Sequence, residues 1–439
     1  MMKTSIKNLF LLSAILLFML PESAYALPGF TRQTGKDCMT CHAQNMPKLN
    51  AYGRHFALSG YTIYDPDSET QSLIEGTEVA LGLPAVLNVS AVVRARYVKS
   101  SRREDLTLTD DVVGIERGEL QVLQASGLYF GGRVADNVGG LVSLTDDTSD
   151  DNDIAMGGKA IVAYPVLNGF GGFSLYSTQV NGTFSGMENY NTGLNSPLRQ
   201  FENATGTNAA QATGIGRGPS TGLQAYYGDD RFFATFGGVI PSQNNEGIDA
   251  GSSIIPFWRV AYNQPISEWN VMLGAYGMAG TVKASDQSLD GGTIDSKAIL
   301  VEIYKEGYGF DFQASGPIAG MMTMTTINVV VKNTVSATPE NLLLSPNLQR
   351  TDNEGGSIEF QINPVESFGV KLAYLNYNNN YDVVRQDYVE AYDFDAYSLG
   401  FNYLARQNVS FDIEYTHNHT KSGVLDDFYD LYLSATVAF

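Results

Sequence analysis

Cysteine is nearly missing from this chain of 439 residues, which has two, along with four histidines and two tryptophans. Two cysteines are too few for a disulfide framework, and too few for a four-thiolate zinc site. Positive charge is also scarce: 27 Lys and Arg stand against 47 Asp and Glu, a formal net charge of −20. That balance repels nucleic acid and anionic lipid surfaces, and excludes either as the main partner. Beyond the first 20 residues no apolar run approaches 18 residues, so no spanning helix is expected there.

What the chain does have begins with an export signal. "MMKTSIKN" carries Lys3 and Lys7, residues 9–20 are almost wholly apolar, Pro21 follows, and "AYA" ends at Ala26. A basic start, an apolar core and small residues before the cut make a secretory signal peptide. The apolar run falls short of the roughly 20 residues needed to cross a bilayer. Cleavage of residues 1–26 is therefore expected, leaving "LPGFTRQTGKDCMTCH" as the mature start.

The two cysteines lie just inside that start, in "CMTCH": Cys38, Cys41 and His42. C-x-x-C-H is the attachment site of a c-type haem, in which two thiols bond the porphyrin and the histidine supplies an axial nitrogen to iron. A zinc site would need two further ligands nearby, and a redox dithiol would be expected beside a βαβ pattern, which this segment lacks. One covalent haem c is the expected cofactor. His55 is a candidate distal ligand, and Arg54 a candidate partner for a haem propionate. Met46 lies four residues beyond His42, on the same face if a helix follows the motif, and is expected to pack beneath the ring.

From about residue 76 to 439 the sequence alternates. "LYLSATVAF" sets Leu431, Leu433, Ala435, Val437 and Phe439 against Tyr432, Ser434, Thr436 and Ala438. "AYSLGFNY" and "NVSFDIEYT" do the same, and a period of two is that of a strand with one apolar face. Tyrosines cluster near strand ends, and short turns ("LARQN", "NPVES") alternate with long polar loops ("NNNYDVVRQDYVEAYD", "HNHTKSGVLDD"). This is the asymmetry of a transmembrane barrel, the one sheet without edges and so the one a bilayer tolerates. Strands of about 10 residues with connections of about 12 predict roughly 16 strands in an all-β antiparallel barrel. Around residues 280–320 the alternation leaves the side of the connection unassigned.

Some 40 residues separate the haem motif from the barrel, too few for a cytochrome with its own core. Residues 27–75 are therefore expected to form a small haem-bearing plug inside the barrel or at its mouth. Arg94, Arg96, Glu359, Asp412, Glu414 and Asp430 are candidates to face the lumen. His417 and His419, two apart on a strand near Asp426 and Asp427, could touch a surface metal ion. The acidic run at 145–153 reads as a solvated loop.

Residues 27–62 resemble the haem segment of the fused outer-membrane cytochrome–porins of iron-oxidising bacteria. The resemblance rests on "FTRQTG", "CMTCH", "P-x-LN-x-(aromatic)-GR-x-F" and "GYT"; over the barrel it reaches only architecture, length and the terminal Phe439. It implies a protein of the bacterial outer membrane that takes electrons from extracellular Fe(II) and passes them to a periplasmic cytochrome c or similar carrier. Two alternatives keep the same architecture: a conduit for another extracellular donor or acceptor, and a non-redox porin with a haem-bearing plug.

Overall fold

The computed structural model describes residues 28–43, 47–66, 88–101, 118–145, 154–241, 254–285, 300–337, 350–382, 393–421 and 427–439. The expected leader, Met46, Asp426, the boundary near 76 and the acidic residues 146–153 lie outside them.

Alternation becomes a wall. The strand segments are β1 (Val89–Ser100), β2 (Glu119–Val122), β3 (Gly127–Ala135), β4 (Val138–Thr145), β5 (Ala155–Val166) and β6 (Gly169–Thr178). Then come β7 (Ser220–Gly228), β8 (Phe232–Ile240), β9 (Ile255–Ile266), β10 (Trp269–Ser285), β11 (Leu300–Ile318) and β12 (Met321–Ala337). The last are β13 (Arg350–Val365), β14 (Phe368–Asp382), β15 (Phe394–Arg406), β16 (Val409–Thr420) and β17 (Phe428–Ala438). Each pairs antiparallel with its neighbour in sequence from β3 onward. Both β2 and β3 pair with β1, Glu119–Val122 alongside Ala95–Val98 and Gly127–Phe130 alongside Val89–Val92. They are two halves of one wall strand, broken where Leu123 and Ala125 adopt left-handed backbone, so the barrel has sixteen strands. It closes through β17 on β1. The last residue completes the seam: Phe439 N–H donates to Ala91 O at 2.9 Å and Ala91 N–H to Phe439 O at 2.7 Å.

The two faces differ as the alternation requires. On β15, Tyr397, Leu399, Phe401 and Tyr403 are exposed while Ala396, Ser398 and Asn402 are buried; on β9, Trp258, Val260 and Tyr262 point out while Phe257, Arg259 and Ala261 point in. An outward apolar belt on a closed barrel is the surface a bilayer covers. Seven short connections share one end with the start of β1 and the end of β17, and eight long ones share the other. By the usual orientation the short-turn end is periplasmic. The stretch left unassigned at 280–320 resolves into β10 and β11 with one long connection between them.

The lumen holds the core. Residues 179–219, between β6 and β7, fold inward and are mostly buried. Phe184, Leu194, Ala209, Ala210 and Ile215 from this segment pack against wall residues including Ile255, Phe257, Tyr276 and Leu375. Ion pairs hold it as well. Arg259 is paired with Glu188 of the segment, and its Nη1 donates to Asp311 Oδ1 of β11 at 2.9 Å. Lys371 meets Asp412 at 3.2 Å and also Glu414. Glu414 Oε2 in turn accepts the N–H groups of Glu202 and Asn203 at 2.8 and 3.1 Å. Arg94 and Arg199 both reach Glu202 Oε2, at 3.0 and 2.9 Å. Burial alone would raise the Glu202 carboxyl; Arg199 and then Arg94 outweigh it and hold it well below the usual carboxylate range. Glu359 accepts from Asn208 at 3.0 Å, Asp430 from Asn418 at 3.0 Å, and Arg96 donates to Gln121. All six predicted inward-facing residues therefore lie on the lumenal side of the wall.

Candidate functional site

The N-terminal segment sits inside the barrel at the short-turn end. It consists of three short helices, α1 (Pro28–Thr34), α2 (Cys38–Cys41) and α3 (Ala51–Leu58). α1 lies on the wall: Gly29 N–H donates to Ser90 Oγ at 2.9 Å, and Arg32 donates to Val89 O. Gln33, fully buried, ties the segment to itself and to the barrel. Its Nε2 donates to Tyr61 O and Ile63 O at 2.6 and 2.8 Å, and its Oε1 accepts Arg133 N–H at 3.0 Å. Phe30 stacks on Tyr61 at 5.0 Å and meets Phe56 edge-on at 5.1 Å. Phe56, Leu58 and Tyr61 then join wall residues Ile161, Tyr226 and Phe233 in one apolar cluster. Tyr226 OH donates to Leu58 O at 2.7 Å. Leu49 and Asn191 exchange two hydrogen bonds, at 2.8 and 2.9 Å, joining the plug to the inward segment.

The motif itself is one turn of helix. Asp37 caps it, accepting Thr40 N–H at 2.9 Å, and His42 N–H closes it on Cys38 O at 2.9 Å. The imidazole Nδ1 lies 3.1 Å from Pro47 O and 3.3 Å from Lys48 O. Among the described residues these are the ring's hydrogen bonds, so Nδ1 carries the proton and Nε2 is left without a hydrogen-bond partner there. Burial lowers the His42 pKa, with the two carbonyls acting the other way. Cys38 and Cys41 are not joined to each other, and burial, then Asp37, pushes the Cys41 thiol up to about 11.

Two residues that sequence reasoning passed over hold this turn in place. Asn50 caps α3 through its Oδ1, which accepts Gly53 N–H at 3.0 Å. Its Nδ2 faces the carbonyls of Met39, Thr40 and His42 at 3.1, 3.0 and 3.1 Å, and its own N–H donates to Cys41 O at 3.0 Å. Gly53 lets the two helices touch, since a Cβ there would stand 2.0 Å from Cys41 O. The Asn that precedes "AYGRHFAL" is an N-cap signal. Its carbonyl partners on the Cys38–His42 turn leave no mark in the sequence.

Cys38, Cys41 and His42 line a single lumenal cavity of about 440 Å³, within the roughly 300–1,000 Å³ of cofactor sites. Phe30, Phe56, Tyr129 and Leu141 supply apolar walls. The lining runs from Asn408 and Ala438 at the short-turn end to Thr145 and Thr178, where long connections begin. Two thiols and an imidazole with its Nε2 open, all facing one mostly apolar space, fit the haem that the motif implies. Lys48 is buried close by, donating to Gln361 of β13. Burial, then repulsion from Lys371, brings its pKa down to about 7 against the pull of Glu359 and Asp412.

Arg54 and His55 do not share this cavity. Gly53, Phe56 and Ala57 face it, at positions i, i+3 and i+4 of α3, whereas Ala51, Arg54, His55 and Leu58 face a second cavity on the opposite side of the helix. Helix periodicity thus turns both side chains away from the motif, and neither the distal-ligand nor the propionate role follows from this arrangement. His417 and His419 point outward at the long-loop end of β16. Asp427 lies 3.0 Å from His419 Nδ1 and 3.9 Å from His417 Nε2. Among the described residues no group of three or more His, Cys, Asp or Glu is arranged to hold a metal ion.

No protein-family model matches the sequence, and no curated protein does. Solved structures that resemble this one include outer-membrane proteins and porins. A loop L8 deletion mutant of OmpT from Vibrio cholerae is 12% identical, with 81% of this chain and 99% of that one covered and a TM-score of 0.49. An anion-selective porin from Comamonas acidovorans is also 12% identical, with 81% and 99% covered and a TM-score of 0.46. The outer membrane channel DcaP of Acinetobacter baumannii is 13% identical, with 82% and 98% covered and a TM-score of 0.46.

Proposed function

We propose that this chain is an outer-membrane c-type cytochrome that takes electrons from extracellular ferrous iron and passes them to a periplasmic carrier such as a cytochrome c. The observation that carries this reading is the convergence of Cys38, Cys41 and His42 on one cavity inside a closed transmembrane wall. When bound there, haem supplies reversible one-electron storage on its iron. The chain's own residues do the rest. Cys38 and Cys41 tether the group, the Pro47 and Lys48 carbonyls fix the tautomer and tilt of His42, and Asn50 with Gly53 locks that turn to α3.

The chemistry explains the architecture. Ferric iron is nearly insoluble near neutral pH, so the oxidation of ferrous iron belongs outside the cell, and only the electron must pass a wall about 25 Å tall. The plug and the inward segment fill the lumen that a solute would need, while the cavity lining runs from one end of the wall toward the other. A second reading, a solute channel with a haem-bearing plug, is favoured by the barrel itself.

One experiment separates them. The purified protein in liposomes is titrated with Fe(II) while its haem absorbance is followed. The account expects reduction of the haem bands by iron and its loss in His42→Ala, with barrel migration on gels unchanged. Bands that stay oxidised under Fe(II) yet reduce with dithionite, together with sugar flux through the barrel, would select the channel.

A further inference from the structure

Arg54 and His55 face a cavity of their own, apart from the ion pairs that hold several of the lumen's cations. Arg94 and Arg199 meet Glu202, Arg259 meets Glu188 and Asp311, and Lys371 meets Asp412 and Glu414. The Arg54 guanidinium, among the described residues, makes no ion pair and donates no hydrogen bond; it rests over the Tyr190 ring at 5.2 Å. Burial lowers its pKa, with Tyr190 and Asp230 only opposing at a distance. A guanidinium does not shed its proton in a protein, so this half-buried side chain keeps a fixed positive charge that it can offer to an anion.

The space for one is present. The cavity holds about 250 Å³ and opens among the short turns, with His55, Asn189, Asn263 and Asn270 around Arg54. Its two carboxylates do not answer the guanidinium. Asp229 is occupied, accepting the N–H groups of Arg231 and Phe232 at 2.8 and 2.7 Å and the Tyr227 hydroxyl at 2.8 Å. Asp230 is exposed at the rim, and its backbone carbonyl accepts Asn263 Nδ2 at 3.0 Å.

We propose that this cavity binds a small oxyanion, a phosphate or a carboxylate group, entering from the short-turn end. The Arg54 fork offers two parallel N–H donors, the geometry that suits either group, and the His55 ring and the side-chain amide of Asn270 add donors beside it. The site lies across α3 from the Cys38–His42 cavity and does not depend on the haem reading.

Isothermal titration of the detergent-purified chain with sodium phosphate, and separately with sodium succinate at matched ionic strength, tests this. Saturable binding at one site is expected for at least one probe. Tighter binding of phosphate would identify a phosphate-type ligand, and tighter binding of succinate a carboxylate. Arg54→Gln should weaken binding at least tenfold, as expected for losing charge-assisted hydrogen bonds, and His55→Gln by less. Visible absorbance should be the same in wild type and variants. If Arg54→Gln does not assemble, judged by heat-modifiable migration, Asn270→Leu serves instead, removing that amide donor with a side chain of the same branching and weakening binding severalfold. Absence of saturable binding of both probes to the wild type, or unchanged binding in an assembled variant at Arg54, overturns the proposal. The titration reads heat, so a chain proved to lack haem leaves the test intact.

Discussion

Replacing Asn50 should loosen the Cys38–His42 turn far more than the loss of one polar side chain suggests. Asn50→Ala removes the cap of α3, worth about 1 kcal/mol. It also removes an amide facing three carbonyls of residues 39–42, and two net hydrogen bonds from that amide add about 0.5–1.5 kcal/mol each. The sum is about 3 kcal/mol, confined to the plug because the barrel ladder does not involve Asn50. Local opening of that size lowers amide protection roughly a hundredfold. Hydrogen exchange read by mass spectrometry over peptides spanning Cys38–Leu58 measures it, with β15 and β16 as unaffected references. Asn50→Asp is the informative companion. It keeps the cap, since Asp is as good an N-cap as Asn, but points a carboxylate at the three carbonyls. The reasoning predicts protection no better than in Asn50→Ala. Wild-type protection in Asn50→Asp would show that the cap alone matters and that the clamp on the haem turn is imaginary.

Other outcomes follow from the same contacts. Gly53→Ala places a Cβ 2.0 Å from Cys41 O, so α3 and the motif must part by about 1 Å, at an overpacking cost of about 1–3 kcal/mol; exchange in α2 should rise despite the better helix propensity of Ala. Arg259→Met leaves Glu188 and Asp311 buried without their cation and should destabilise the folded barrel by about 3–5 kcal/mol, seen as a lower temperature for loss of heat-modifiable migration. The triple change Arg259→Met, Glu188→Gln, Asp311→Asn should recover most of that loss. The Glu202 carboxyl is held below its ordinary value of about 4.5, so its ion pairs stabilise fully above that pH and fade as pH falls toward the folded value. The stability gap between wild type and Glu202→Gln should therefore be constant above about pH 4.5 and narrow below it.

Much of this architecture was legible in the chain because a barrel strand writes itself in a period of two. Tyr397, Leu399, Phe401 and Tyr403 face out and Ser398 and Asn402 face in, as the alternation required. Closure through Phe439 was visible only as an aromatic ending; the pairing with Ala91 needs the whole circuit. The inward fold of residues 179–219 was not foreseen. That stretch has no periodicity and reads as polar loop, while its partners Arg259, Ser357, Lys371 and Glu414 lie far along the chain. At the site, the spacing of Cys38, Cys41 and His42 is the feature the sequence displays most plainly, and the three side chains line one cavity. Arg54 and His55 fall on the other side of α3 for a simple reason. They were judged by residue type near the motif, whereas the helical positions of Gly53, Phe56 and Ala57 had already claimed the facing side.

The central claim is that a porphyrin is bonded to Cys38 and Cys41 within this barrel. Intact-mass measurement of the detergent-purified chain, produced in cells able to attach c-type haem, tests it most directly. The account predicts a mass greater than the polypeptide by one haem, localised to the peptide containing residues 38–41 and absent from the Cys38→Ala, Cys41→Ala double variant. A chain at bare polypeptide mass, with both thiols open to alkylation in an assembled barrel, would contradict it.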